Sequence, residues 1–238
     1  MVSTFFSLNP QLQFYAYLLI SVILLRLPLT GRYFRTLNTL LHESGHAVAA
    51  ILTSGEVIRI ELNSDTSGTA LTKSSSKFRA FLVTFCGYPF AALASGGLLW
   101  LSAHHQYRYV FLILLTICLL NLMLFVRNSY GLVWLITFTI IITFIAWYQH
   151  ALLTEIFSTL ISLIAFAETI LSTITIAYLG CFLPKKAGDI TNLVRISQIP
   201  AFIWAFLLTA VVACIVYYTI LYTFPNPVQP IVFSVVQS

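Results

Sequence analysis

The stretch LHESGHAVAA at residues 41–50 sets His42, Glu43 and His46 in an HExxH pattern. On a helix, positions i and i+4 share a face, so the two imidazoles stand one above the other. Two ring nitrogens so placed can hold one Zn²⁺ through bonds of about 2.0–2.1 Å. Glu43 lies about 100° round the helix from His42, where it can take a proton from water at the metal without ligating the metal itself. Metal and carboxylate together turn water into a nucleophile, which is the chemistry of a zinc peptidase. With 5 His and 5 Glu in 238 residues, chance supplies such a pattern only about 0.002 times.

The setting of these residues is apolar. Of the 238 residues, 59% are hydrophobic and 8% are charged, against roughly 25% charged in an average soluble domain. Mean hydropathy is +0.94. So few charges cannot clothe a water-facing surface. This excludes a soluble globule, a disordered chain, a collagen-like chain and a nucleic-acid-binding module, and leaves a multi-pass protein of the lipid bilayer. Inside a span each ionisable group costs about 2.5–3.5 kcal/mol on insertion scales, so three within five residues imply a function or a compensating partner. A metal ion is the simplest such partner. Cys86, Cys118, Cys181 and Cys214 are far apart in apolar stretches and read as packing residues, with no CxxC pair.

Stretches poor in charge mark the elements that must position the cluster. They predict an all-α membrane protein of about seven transmembrane helices, at 12–28, 36–53, 80–103, 109–126, 128–154, 156–184 and 196–238. No Lys or Arg precedes Arg26, so the first is expected to be a retained span and not a cleaved signal peptide. Between the second and third spans, residues 55–72 read GEVIRIELNSDTSGTALT, near period two, with turn chemistry at Asn63 to Gly68. This predicts a short β-hairpin at the membrane surface. KSSSK at residues 73–77 reads as a solvated linker. The positive-inside rule sets Arg59, Lys73, Lys77, Arg79, Arg127, Lys185, Lys186 and Arg195 on the cytoplasmic side, against Arg26, Arg32, Arg35 and Arg108. The N-terminus is then expected inside and the C-terminus outside. Ala91 to Gly97 is rich in small residues and suits close helix approach, and Gly87-Tyr88-Pro89 is expected to break or kink the helix before it.

Several of these stretches resemble one family. LLHESGHAVAAILTSG, SGTALT, CGYPFAALASGG, FVRNSYG and GDITNLVRISQIPAFIW, running from Leu40 to Trp204, are similar to motifs of the site-2 proteases, the intramembrane zinc metalloproteases, in a compact and mostly bacterial branch. The resemblance implies one peptidase domain over 1–238 with Zn²⁺ as its cofactor. It implies hydrolysis within the transmembrane segments of other membrane proteins, in a bacterial cytoplasmic membrane. No stretch reads as a PDZ or nucleotide-binding module.

A catalytic zinc takes three protein ligands and keeps one position open. The family's LDG motif is missing from this sequence. From the hairpin turn onward the carboxylates are Asp65, Glu155, Glu168 and Asp189. Asp189, within the last family-like stretch and ahead of a helix-like run, is the expected third ligand. It would serve equally as a helix N-cap. Glu168, alone within a span, is the alternative. Asn128 in RNSYG is a weaker ligand than a carboxylate. It suits a catalytic role better, as hydrogen-bond donor to the scissile carbonyl or its oxyanion. His104, His105 and His150 sit at span ends and read as interfacial.

Two other functions fit the composition. One is a non-proteolytic regulator or chaperone-like protein with a retained metal site. The other is an ion transporter using Glu168 and the histidines, although no paired broken helices are visible. The expected partners are a transmembrane substrate and the bilayer. Nothing in the sequence sets the oligomeric state.

Overall fold

The computed structural model describes residues 10–223 of the chain. Eight α-helices and one hairpin follow in order: α1 (Pro10–Arg26), α2 (Pro28–Leu52), β1 (Glu56–Leu62), β2 (Gly68–Lys73), α3 (Lys77–Ala103), α4 (Tyr107–Leu120), α5 (Ser129–Tyr148), α6 (Ala151–Phe182), α7 (Asp189–Ser197) and α8 (Ala201–Thr223). A π-helical turn, Asn121–Phe125, extends α4. This is the all-helical membrane architecture that the sequence predicts, with the hairpin directly after the HExxH helix.

The span count differs from seven. Among the described residues five helices are long and apolar enough to cross a bilayer, or six if α1 and α2 together form one bent span. The two meet at 100°. Leu27 is extended at φ −70° and ψ 136°, and Pro28 opens α2, a position where its missing N–H and fixed φ suit a helix start. The tightness of the elbow requires Gly31, since a Cβ there would lie 2.3 Å from the Leu25 carbonyl oxygen. Carbonyls left over at the end of α1 are taken up by α2: Thr30 Oγ1 donates to Leu24 O and Arg35 Nη2 to Leu25 O, each at 3.0 Å. Of the predicted last span, 224–238 lies outside the described residues.

Helix α3 runs unbroken through Gly87 and Pro89, so of the expected break or kink the break does not occur. Membrane helices tolerate proline because neighbouring groups re-satisfy the freed backbone. Small residues bring helices into contact with α3. A Cβ on Gly45 would meet Phe90 Cβ at 2.6 Å, and one on Gly96 would meet Thr219 Oγ1 at 2.5 Å. The inner core gathers Leu37, Leu40 and Leu41 of α2, Ile60 and Leu62 of β1, and Trp134 and Phe138 of α5. The outer face stays apolar, with Phe206 and Met123 each 72% exposed. Such a face suits lipid and not water.

The hairpin is antiparallel, with Ile60 opposite Ala70, and is irregular between Val57 and Arg59. Asp65 pins its turn by accepting from the Ser67 hydroxyl at 2.6 Å and the Ser67 N–H at 3.0 Å. These bonds hold the Asp65 carboxyl below its ordinary range. On its other edge β1 is covered. Ile60 bridges Val126 in parallel, and the Arg127 N–H donates to Ile60 O at 3.2 Å. Arg127 thus follows directly on the stretch that covers β1.

Candidate metal centre

Helix α2 supplies His42 and His46 one turn apart, and α7 supplies Asp189 at its first residue. The three converge. Asp189 Oδ2 lies 3.0 Å from His42 Nε2 and 3.3 Å from His46 Nε2, and the two Nε2 atoms are 3.1 Å apart. Donors bonded to one tetrahedral ion at about 2.0–2.1 Å stand about 3.3 Å from one another. The triangle has that size, so the residues present fit a zinc ion.

The surroundings prepare these atoms for a metal. His46 Nδ1 lies 2.7 Å from the Val83 carbonyl. A carbonyl only accepts, so Nδ1 carries the proton and Nε2 presents its lone pair to the triangle. Among the described residues His42 has no second hydrogen bond. Its ring stands edge-on to Tyr88, with centroids 4.5 Å apart at 72°. Gly87 lets α3 approach both rings, for a Cβ there would lie 2.6 Å from Cε1 of each histidine.

Glu43 is 4% exposed. Gly68 at the start of β2 packs so close to it that a Cβ there would lie 2.8 Å from Glu43 Oε1. The hairpin therefore borders the cluster. Residues 66–72 line one wall of a cavity of about 500 Å³ that contains His42, Glu43, His46 and Asp189. Among the described residues β2 pairs only with β1, which leaves its other edge turned to this cavity. The helix α2 is held in place from its far side by Asn121, which donates to Ser44 Oγ at 3.0 Å.

The remaining predicted residues stand elsewhere. Asn128 Oδ1 accepts the Leu62 N–H at 3.1 Å, and its Nδ2 donates to Leu62 O. Its amide thus acts as one more strand partner for β1, and Asn128 is not among the described residues that line the cavity. Glu168 faces Arg35, Oε2 to Nε at 3.6 Å. His104 Nδ1 donates to Trp100 O at 2.8 Å, and His105 Nδ1 lies 2.7 Å from Tyr107 Oη. Sequence reasoning missed Val83 and Asn121. The first acts through a main-chain atom and leaves no trace in residue type. Gly87 and Tyr88 were visible in CGYPF, but their types alone did not place them against the histidine rings.

An HExxH helix inside a bundle of apolar spans, completed by a distant carboxylate, defines a membrane-embedded metallopeptidase site. The model of the Peptidase M50B-like family matches residues 14–219, and the chain belongs to that family, a group of membrane metalloproteases of the site-2 type. No curated protein and no solved structure matches the chain.

Proposed function

We propose that the protein is a zinc endopeptidase that cuts the transmembrane segments of other membrane proteins. The observation that carries this reading is the convergence of His42, His46 and Asp189 beside buried Glu43 within one cavity. His42 Nε2, His46 Nε2 and Asp189 Oδ2 would hold the metal. Bound there, zinc would make a water acidic near neutral pH and polarise the scissile carbonyl.

The chain's own groups do the rest. Glu43 takes the proton of the attacking water and passes it to the leaving amide nitrogen. The burial of Glu43, 4% exposed, strengthens both transfers by limiting competition from bulk water. A helical substrate shields its own amides and must first unwind. The free edge of β2 supports a way to hold the opened segment, by pairing with it as an added strand. Gly68 of β2 packs directly on Glu43, so strand pairing and proton transfer share one wall. The whole described chain serves one peptidase domain in this reading, and the cytoplasmic membrane is its proposed place.

The test is Glu43→Gln in the full chain, reconstituted with a single-span substrate. The variant is expected to keep its zinc and to lose cleavage. Cleavage at the wild-type rate by Glu43→Gln would overturn the reading.

A further inference from the structure

Attack on a peptide carbonyl puts negative charge on its oxygen, and a donor aimed at that oxygen commonly adds about 10²–10³ to the rate. The amide of Asn128 is spent on Leu62. Three other side chains around the cavity are engaged too. Asn38 Oδ1 accepts from Thr169 at 2.7 Å, and its Nδ2 reaches Ser172 Oγ at 3.4 Å. Thr39 donates to Thr66 O at 2.7 Å, and Thr84 donates to Ala80 O at 2.9 Å.

We infer that Tyr88 is the donor to the scissile carbonyl, its phenol hydroxyl binding the oxygen on which charge grows. This rests on the peptidase reading above. Tyr88 lines the cavity. Its hydroxyl has no hydrogen-bond partner among the described residues and is not one of the fully enclosed polar atoms, so it is open to the cavity. The ring lies edge-on to His42 at 4.5 Å, in the cavity that Glu43 and Asp189 also line. A donor there shares the cavity with the three ligand atoms.

Rigidity favours Tyr88 over its rivals. It stands on α3, the helix whose Val83 and Gly87 hold the histidine rings, and catalytic groups on helices are held more closely than those on loops. Thr66, Thr69 and Thr72 have free hydroxyls but ride on the hairpin. Asn192, one turn beyond Asp189, is also unpaired and borders the cavity, but its side chain is exposed. An exposed donor acts through water and gains less.

The test compares Tyr88→Phe, which keeps the ring, with Asn192→Ala in the full zinc-loaded protein in detergent. Three quantities are read: zinc content, affinity for an apolar peptide phosphinate that mimics the tetrahedral intermediate, and kcat and KM on a single-span substrate. Tyr88→Phe is expected to keep its zinc, to bind the phosphinate about 100-fold more weakly, and to lose kcat by a similar factor with KM unchanged. Wild-type phosphinate affinity in Tyr88→Phe overturns the inference. So does the same loss in Asn192→Ala instead, or loss of zinc from Tyr88→Phe, which would mean that the phenol acts through His42. Phosphinate binding needs no turnover. A wild-type protein that binds it and cleaves nothing would refute the peptidase reading, while the affinities still judge Tyr88.

Discussion

The Nδ1–H of His46 donates to the Val83 carbonyl at 2.7 Å, so a main-chain atom of α3 sets the tautomer of a side chain on α2. His42 has no equivalent bond and is held by packing against Tyr88 and Gly87. The cluster is therefore a property of the α2–α3 pair before α7 adds Asp189. The consequences can be measured on metal binding alone.

Removing any one of the three ligand atoms is expected to weaken zinc binding by more than about 100-fold, because even outer partners of zinc ligands are worth 10- to 100-fold. His42→Ala, His46→Ala and Asp189→Ala are compared by titration against a competing chelator. Asp189→Asn, which keeps the size and loses the charge, is expected to fail as well. Zinc retained in full by Asp189→Ala would remove Asp189 from the ligand set.

Gly87→Ala tests the packing. The added methyl would fall 2.6 Å from Cε1 of both histidines, and main-chain atoms of α3 cannot yield easily. Overpacking of this kind costs about 1–3 kcal/mol. The variant is expected to show a lower Tm and reduced zinc content together. A normal zinc content would show that the rings can move aside without losing the metal.

What the sequence made legible follows its local periodicities. The i, i+4 spacing of His42 and His46 is fixed by helix geometry, and the alternation from Val57 to Leu62 is fixed by strand geometry, so the HExxH helix and the hairpin were both readable. Asp189 was reachable only through the resemblance of its surroundings, since no local rule brings α7 to α2. The elbow at Leu27 was hidden because a low-charge stretch looks alike whether it crosses the bilayer straight or bends. Asn128 shows the opposite case. Its amide has the right chemistry for a carbonyl donor, but chemistry does not reveal that both its donor and its acceptor are taken by Leu62.

Asn128→Ala is therefore expected to loosen the hairpin. It leaves the Leu62 N–H and carbonyl without their partner, a loss of about 1–3 kcal/mol when such groups stay buried. Hydrogen exchange at Leu62 and Ile60 should rise, cleavage should fall mainly through KM, and zinc content should stay as in the wild type. A pure kcat loss with unchanged exchange would return Asn128 to a direct part in the reaction.

The Arg35–Glu168 pair makes the last case, because its two halves differ. Arg35 Nη2 also donates to Leu25 O at 3.0 Å, at the elbow between α1 and α2. Neither Arg35 Nε nor Glu168 Oε2 has a hydrogen-bond partner, and they stand 3.6 Å apart, so the link between them is charge attraction alone. The side chains are 35% and 16% exposed, which places the pair between surface bridges and buried ones and sets its coupling at about 1 kcal/mol. Arg35→Ala removes the elbow bond as well as the pair, and strands a carboxylate within the helices. It is expected to lower Tm more than Glu168→Gln does. The double variant should recover part of the loss, and all three proteins should keep their zinc. Zinc lost from Glu168→Gln, with the fold intact by Tm, would instead make Glu168 a ligand and displace Asp189 from that place.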